Sequence, residues 1–410
     1  MIPFNLSSTS LNGWFFYFYF LYMSNLNRVV KLTKDLIKIQ SFKDGKIFES
    51  EIVKYICDYM NREIPWMDIS LQEISENRYN IIAKDKYPTK FLVVDQIDTV
   101  EPTSSWNTDP LTPTIKDNKI YGLGSSDSKG NLASFLESLH LVGETKGLCV
   151  LWYADEEYLF EGIKYFTQSL ESKSINPTYV LSIDGNDCKV GRGCRGLIEA
   201  QVTLRGVTAH SATGQGRDVN IPFCKTINIL NDWLKNFESD FLEMPTLNVS
   251  RINSGILNST ANNIPIFSTQ ANKVPDYLEA VIEIRNTTKR LNSISVNNLL
   301  KQNFDKFNLD YSFKLVQEYM GFETDTQNLT EILNYLPKRI VRKGYLNPAK
   351  FGFLDVSMLS AIYPDANIFS FGIGSTSQAH CPNEYIEIQN LNMGLEVYSL
   401  LLINLVKSNE

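Results

Sequence analysis

Four short, continuously apolar runs constrain the fold of this chain more than any other feature. They cover residues 90–94, 147–154, 179–183 and 368–372. Stretches with the spacing of helices, such as residues 162–170, lie between them. Unbroken apolar strands are buried on both faces, as in parallel sheets that helices cover. We therefore predict an α/β fold with a mostly parallel sheet flanked by helices.

The pattern changes between residues 196 and 307. Alternating apolar and polar side chains, typical of half-exposed strands, occur at residues 197–204, 247–252 and 278–285, and helical spacing occurs at residues 221–237 and 294–307. This order predicts a small α+β domain inserted into the larger one. A chain of 410 residues is long enough for two domains. We place them at residues 23–195 plus 308–410 and at residues 196–307.

Residues 1–22 fit neither domain. Their aromatic run, residues 14–22, is too short to span a bilayer, and no Lys or Arg precedes it as in a signal peptide. We favour a true start at Met23, which leaves residues 1–22 untranslated or disordered. The alternative is a segment that binds a membrane surface or a partner.

Charge and cysteine usage exclude several classes of protein. The net charge is −7 and no long basic run occurs, so nucleic acid is not an expected partner, and no membrane association is expected. The six cysteines lack CxxC spacing, which indicates a reducing, cytoplasmic setting and no cysteine–zinc site. Because the chain has only three histidines, any metal site must depend on carboxylates.

Polar and acidic side chains follow the predicted strands at the points where they end. They are Gln96, Asp98, Glu156, Glu157 and Asp184, with His380 after the fourth run. Each alone has an ordinary interpretation as a loop residue. Because ligands bind at the carboxyl ends of parallel strands, the whole set predicts a functional site at that edge.

A glycine-rich bend, residues 121–131, adds a further acid, Asp127, just before an apolar helical run. Glycines next to a carboxylate permit close backbone approach and unusual φ angles. The alternative interpretation is a simple turn that caps the following helix. The bend gains functional meaning only if Asp127 meets the acids at the strand ends.

Carboxylates that lie close together need protons or cations to offset their repulsion. Two unit charges about 4 Å apart repel by about 4 kcal/mol at an effective dielectric of about 20. Zinc accepts carboxylate and imidazole ligands, and paired metals can share a bridging carboxylate, for which Asp127 is the best candidate. The doublet Glu156-Glu157 offers one ligand and one general base. His210, in the predicted insert, is either a loop residue or a donor to a substrate carboxylate or oxyanion.

The motifs occur in the order of a known family. They are Asp98-Thr99-Val100, Trp106, residues 109–113, residues 121–130, Asp155-Glu156-Glu157, Ala209-His210-Ser211 and residues 379–384. From Met23 onward the chain resembles the metallohydrolase family of acetylornithine deacetylase, succinyl-diaminopimelate desuccinylase, aminoacylase and glutamate carboxypeptidase. The resemblance implies a zinc-peptidase-like catalytic domain, an inserted ferredoxin-like lid domain that commonly forms a homodimer, and a zinc pair.

The resemblance also implies roles for individual residues. The implied metal ligands are Asp127 as the bridge, Asp184 at the first site, and Glu157 and His380 at the second. Glu156 becomes the general base, and His210 binds substrate, either within one chain or across a dimer. Asn263 and Arg285 match positions that contact a substrate carboxylate.

One position departs from the family pattern. The first motif, His-x-Asp, is Gln96-Ile97-Asp98 in this chain, so an amide replaces a histidine ligand of the first metal. Glutamine is a poor zinc ligand beside imidazole, and Asp98 loses the ring that it orients in the family. Three outcomes follow: one metal with reduced activity, a metal such as Mn²⁺ or Co²⁺ in place of zinc, or loss of catalysis.

The leading hypothesis is a cytoplasmic, metal-dependent hydrolase of the amide bond of an N-acylated amino acid. Residues 339–344 and 355–359 are similar to the acetylornithine and acetyl-lysine deacetylase branch. A desuccinylase or a dipeptidase remains an alternative within the family. The alternative to an enzyme is a relative without catalytic activity that binds a small carboxylated ligand or a partner chain.

Overall fold

The computed structural model describes residues 26–44, 49–184, 187–261, 264–350 and 352–406. The chain divides into two compact units. The larger comprises the described residues up to Arg192, Thr324–Leu346 and those from Met358 onward, and the smaller comprises Gly193–Glu323 and Asn347–Ser357. The N-terminal segment 1–22 lies outside the described residues. Within the described ranges, no helix has both the length and the apolar character needed to cross a membrane.

The larger unit is built on a seven-stranded sheet. Its strands lie in the order Asp68–Ser75, Arg78–Lys84, Leu148–Tyr153, Phe91–Gln96, Tyr179–Ser182, Asn367–Phe371 and Val190–Gly191. The four consecutive strands from Leu148–Tyr153 to Asn367–Phe371 run parallel to one another. The pairs toward the two edges of the sheet are antiparallel. The parallel strands are the four apolar runs, which confirms the predicted α/β fold. The sheet as a whole is mixed, because its outer strands reverse direction.

Helices accompany this sheet. They are residues 26–37, Ser50–Glu63, Lys129–Val142, Glu161–Gln168, Leu170–Ser174, Thr330–Tyr335, Lys338–Val341, Ser357–Ser360 and Ile388–Val406. The two that matter most for the site are Lys129–Val142 and Ile388–Val406. They pack side by side, with the Ser134 and Ser138 hydroxyls donating to backbone carbonyls of the second helix at 3.3 and 3.2 Å.

A small antiparallel sheet brings the segments before these two helices together. Its strands are Tyr385–Glu387, Lys119–Tyr121 and Thr114–Lys116. The glycine bend follows Lys119–Tyr121, and the loop that carries His380 precedes Tyr385–Glu387. The bend and the loop are therefore neighbours, although about 250 residues separate them in sequence.

The smaller unit has a four-stranded antiparallel sheet. Its strands lie in the order Thr246–Gly255, Tyr277–Arg285, Leu197–Arg205 and Asp310–Tyr319. The other elements are helices Asn220–Leu234 and Ser293–Asp305, the hairpin Leu257–Ala261 with Ile264–Phe267, the pair Gly193–Cys194 with Phe322–Glu323, and 3-10 turns at Ser211–Thr213, Lys235–Phe237 and Pro348–Lys350. In chain order the main elements form a βαββαβ unit with a ferredoxin-like strand order.

The smaller unit extends beyond the boundary that we predicted at residue 307. Asp310–Tyr319 pairs along its length with Leu197–Arg205, so this strand completes the smaller sheet and does not return to the larger one. Residues 347–357 also belong to the smaller unit. Its role as a lid and dimerisation domain stays a prediction.

Candidate metal centre

The strand ends meet at one edge of the central sheet. Gln96 is the last residue of its strand and pairs with Tyr153, the last residue of the neighbouring parallel strand. Glu156 and Glu157 follow that neighbour, and Asp184 follows the strand on the other side. Parallel pairing thus places these groups at the same edge, as the sequence pattern predicts.

The bend that carries Asp127 is held by a buried carboxylate, Glu384. One Glu384 oxygen accepts the Gly124 N–H at 2.8 Å, and the other accepts the N–H groups of Ser126 and Asp127 at 2.6 and 3.0 Å. Gly124 has a φ of 77°, a left-handed conformation that favours glycine. Burial raises the pKa of Glu384 to about 7. The bend is thereby fixed to the loop that carries His380.

A second contact fixes the bend to the sheet. The Ser128 hydroxyl, directly after Asp127, donates to Asp95 at 2.6 Å, and Asp95 is the neighbour of Gln96 in its strand. Asp127 is therefore held between the strand end and the His380 loop. Sequence reasoning assigned no role to Glu384 or Ser128, and the only available signal was that Glu384 lies in the family-like run 379–384.

Asp127, Glu157 and His380 come together as a group of three. One ligand atom from each lies within 4.8 Å of the other two. His380 Nε2 is 2.9 Å from Glu157 Oε2 and 3.7 Å from Asp127 Oδ2. Two carboxylates and one imidazole are a donor set that zinc accepts, with a further position left for water or substrate. The residues therefore fit one divalent ion.

Electrostatics support a cation at this place. Burial, followed by the negative charges of Glu157, Asp184 and Glu384, raises the pKa of Asp127 well above its usual range. Asp184 is therefore near the group, but among the described residues it is not one of the three whose ligand atoms lie within 4.8 Å. Buried carboxylates that repel one another are stabilised by a proton or a cation.

Gln96 contacts the same two carboxylates. Its side-chain nitrogen donates to Glu157 Oε1 at 3.1 Å and to Asp127 Oδ1 at 3.4 Å. Only 3% of Gln96 is exposed. The amide thus lies where the family pattern has a histidine ligand, and it acts here as a hydrogen-bond donor to two acids.

Asp98 fixes the backbone of the acidic doublet. Its two carboxylate oxygens accept the N–H groups of Glu156 and Glu157, each at 3.1 Å. Burial, followed by the charge of Glu157, raises the pKa of Asp98 well above its usual range. Without a histidine to orient, Asp98 instead positions the turn that presents a ligand and the predicted general base. Glu156 itself is half-buried.

The remaining predicted residues belong to the smaller unit. His210 is exposed and begins the 3-10 turn Ser211–Thr213, where its Nδ1 accepts the Ala212 N–H at 3.2 Å. Because Nδ1 is an acceptor, the proton of the neutral ring lies on Nε2, which can donate a hydrogen bond. Arg285 is half-buried and its Nε donates to Glu283 at 3.1 Å. Asn263 lies outside the described residues.

Comparisons with known proteins find similarity along most of the chain. The model of peptidase family M20/M25/M40 matches residues 95–404, which include every larger-unit residue named above for the centre. An uncharacterized metallohydrolase of Methanocaldococcus jannaschii is 26% identical over 93% of this chain and 100% of its own length. The acetylornithine deacetylase of Buchnera aphidicola is 26% identical over 92% of this chain and 97% of its own.

Solved structures show the same fold. The aminopeptidase PepT of Bacillus cereus covers 93% of this chain and 99% of its own with a TM-score of 0.72. Its sequence is 18% identical, so this likeness concerns the fold alone.

Proposed function

Since this chain belongs to peptidase family M20/M25/M40 and is a metal-dependent hydrolase, we propose that it cleaves the amide bond of an N-acylated amino acid such as N-acetylornithine or N-acetyl-lysine. The observation that carries the proposal is the convergence of Asp127, Glu157 and His380 from three distant segments. The similarity to an acetylornithine deacetylase over nearly the whole chain supports the substrate class.

Different residues of the chain have different roles in the proposed hydrolysis. Asp127, Glu157 and His380 would hold a divalent ion, which would supply Lewis-acid chemistry: polarisation of the amide carbonyl and a lower pKa for water. Glu156, whose backbone Asp98 holds, takes a proton from the attacking water and delivers it to the amine nitrogen as the C–N bond breaks. The products are a carboxylate and a free amine.

Substrate binding falls to the smaller unit in this proposal. The His210 Nε2–H group is a suitable donor to a developing oxyanion or a substrate carboxylate. Arg285 and Asn263 are the proposed contacts of the amino-acid carboxylate, and we further propose that the smaller unit forms a homodimer. A zinc ion is the expected cofactor, with Co²⁺ or Mn²⁺ as substitutes, and the cytoplasm is the proposed location.

Gln96 favours a second candidate function. An amide in place of a histidine ligand is the pattern expected of a weakened or inactive relative that binds a small carboxylated ligand. A desuccinylase or dipeptidase is the alternative substrate choice if the chain is active.

One assay separates these candidates. The purified protein is supplied with Zn²⁺, Co²⁺ or Mn²⁺ and offered N-acetylornithine, N-acetyl-lysine, N-succinyl-diaminopimelate and a dipeptide. We expect turnover of an acetylated substrate, and we expect Glu156→Gln to lower kcat by about 10²- to 10⁴-fold because the base is lost. Glu51→Gln, on the exposed side of helix Ser50–Glu63, is the matched control and should retain activity. No turnover of any substrate with any metal would favour the binding protein.

A further inference from the structure

We propose that this centre takes a single divalent ion, bound by Asp127, Glu157 and His380, and that the side-chain amide of Gln96 occupies the place of a second ion. The inference rests on the proposed hydrolase, and it concerns how that hydrolase is built. It departs from the zinc pair that the family resemblance implies.

The two oxygens of each carboxylate point to different partners. His380 Nε2 approaches Glu157 Oε2 and Asp127 Oδ2, at 2.9 and 3.7 Å. The Gln96 amide nitrogen instead contacts Glu157 Oε1 and Asp127 Oδ1, at 3.1 and 3.4 Å. The pair of acids therefore has one side that faces the imidazole and another side that faces the amide.

A metal pair needs both of these sides. A carboxylate that bridges two ions gives one oxygen to each ion. Here the oxygen that would serve a second ion already accepts a hydrogen bond from Gln96, which is 3% exposed and fixed at the end of a central strand. The amide nitrogen has two N–H groups, which matches the two oxygens that it contacts.

Gln96 cannot easily change from donor to ligand. To offer its carbonyl oxygen to a cation, the amide must turn over and give up both hydrogen bonds to the acids. The oxygen thus gained is neutral and is a weaker ligand for zinc than imidazole. Among the ligands that the sequence predicts, Asp184 is then the one charged group that a second ion would not share with the first ion.

The charge of the two acids that contact Gln96 is consistent with one ion. Asp127 and Glu157 carry two negative charges when ionised, and one divalent ion neutralises both. The N–H groups of Gln96 stabilise the two oxygens that face away from that ion. The larger unit thus satisfies both acids with one cation and one amide.

Metal stoichiometry tests this inference without any substrate. Chelator-treated protein is titrated with Zn²⁺ by calorimetry, and the ions retained after gel filtration are counted by mass spectrometry. We expect one ion per chain for the natural protein. Gln96→His should bind two, because it restores an imidazole on the second side. Gln327→His, which adds an exposed histidine elsewhere in the larger unit, should still bind one.

The variant Gln96→Leu tests whether Gln96 is a ligand of the ion or only lies beside it. If Gln96 is not a ligand, this variant keeps one ion per chain, whereas loss of the ion would overturn the proposal. Cobalt provides a second readout: electron paramagnetic resonance of Co²⁺-loaded natural protein should show an isolated ion, and that of Gln96→His a coupled pair. Circular dichroism of each variant verifies that it is folded.

The outcomes also distinguish this inference from the proposed function. One bound ion without turnover of any substrate would contradict the hydrolase and leave the single-ion centre standing. Two ions in the natural protein with good turnover would overturn the single-ion centre and leave the hydrolase standing. No bound ion at all would overturn both.

Discussion

Replacing Arg78 by methionine should destabilise the larger unit strongly. Arg78 is 5% exposed on its side chain and donates to Glu49 twice, at 2.6 and 3.0 Å, and to Asp155 at 2.6 Å. Asp155 in turn accepts the Leu159 N–H at 3.0 Å and immediately precedes Glu156. The ion pair therefore anchors the turn that presents the acidic doublet.

The size of the effect follows from burial. The side chains of Glu49 and Asp155 are 3% and 0% exposed, so without Arg78 two carboxylates remain buried with no counterion. Removing one partner of a buried ion pair costs about 3–5 kcal/mol. The third partner, Glu161, is 45% exposed and adds less than about 1 kcal/mol. We expect a loss of about 3–5 kcal/mol in the free energy of unfolding.

Urea unfolding followed by tryptophan fluorescence and circular dichroism measures this loss. The matched control is Arg62→Met, because Arg62 is 63% exposed and its ion pair with Glu63, at 2.8 Å, should contribute less than about 1 kcal/mol. If Arg78→Met unfolds within about 1 kcal/mol of the natural protein, the buried network does not hold the turn as argued.

Two further predictions follow from the contacts. Glu384→Gln should weaken Zn²⁺ binding by about 10- to 100-fold, as measured by calorimetry. The reason is that an amide nitrogen must then face backbone N–H groups of the Asp127 bend. An unchanged affinity would show that Glu384 does not position Asp127. In the native protein, a thiol reagent should label the exposed Cys224 and Cys381 quickly, whereas Cys149 is buried with a pKa raised to about 12 and should react only after unfolding. Rapid labelling of Cys149, monitored by mass spectrometry, would contradict the packing of its strand.

Local patterns were sufficient to predict the central strands. A strand covered on both faces is apolar along most of its length, as residues 91–94 and Leu148–Tyr153 are, and both of these segments are buried throughout. The acids that follow such strands are therefore visible in the sequence as a break in an apolar run. This is why the sequence alone predicts Glu157 and Asp184 at one edge of the sheet.

Contacts between distant segments could not be predicted in this way. Asp310–Tyr319 pairs with a strand more than 100 residues earlier, and nothing in its own alternation indicates which sheet it joins. Glu384 resembles an ordinary loop acid until its three backbone donors, about 260 residues away, are known. At Gln96 the sequence reveals the missing imidazole but not that the amide faces both acids.

Anomalous diffraction from crystals grown with Zn²⁺, recorded at the zinc absorption edge, tests the central claim most directly. The account predicts a peak about 2.0–2.2 Å from the His380 nitrogen and from oxygens of Asp127 and Glu157. No peak between these three side chains, with zinc bound elsewhere on the chain or not at all, would contradict the metal centre on which the proposed hydrolysis depends.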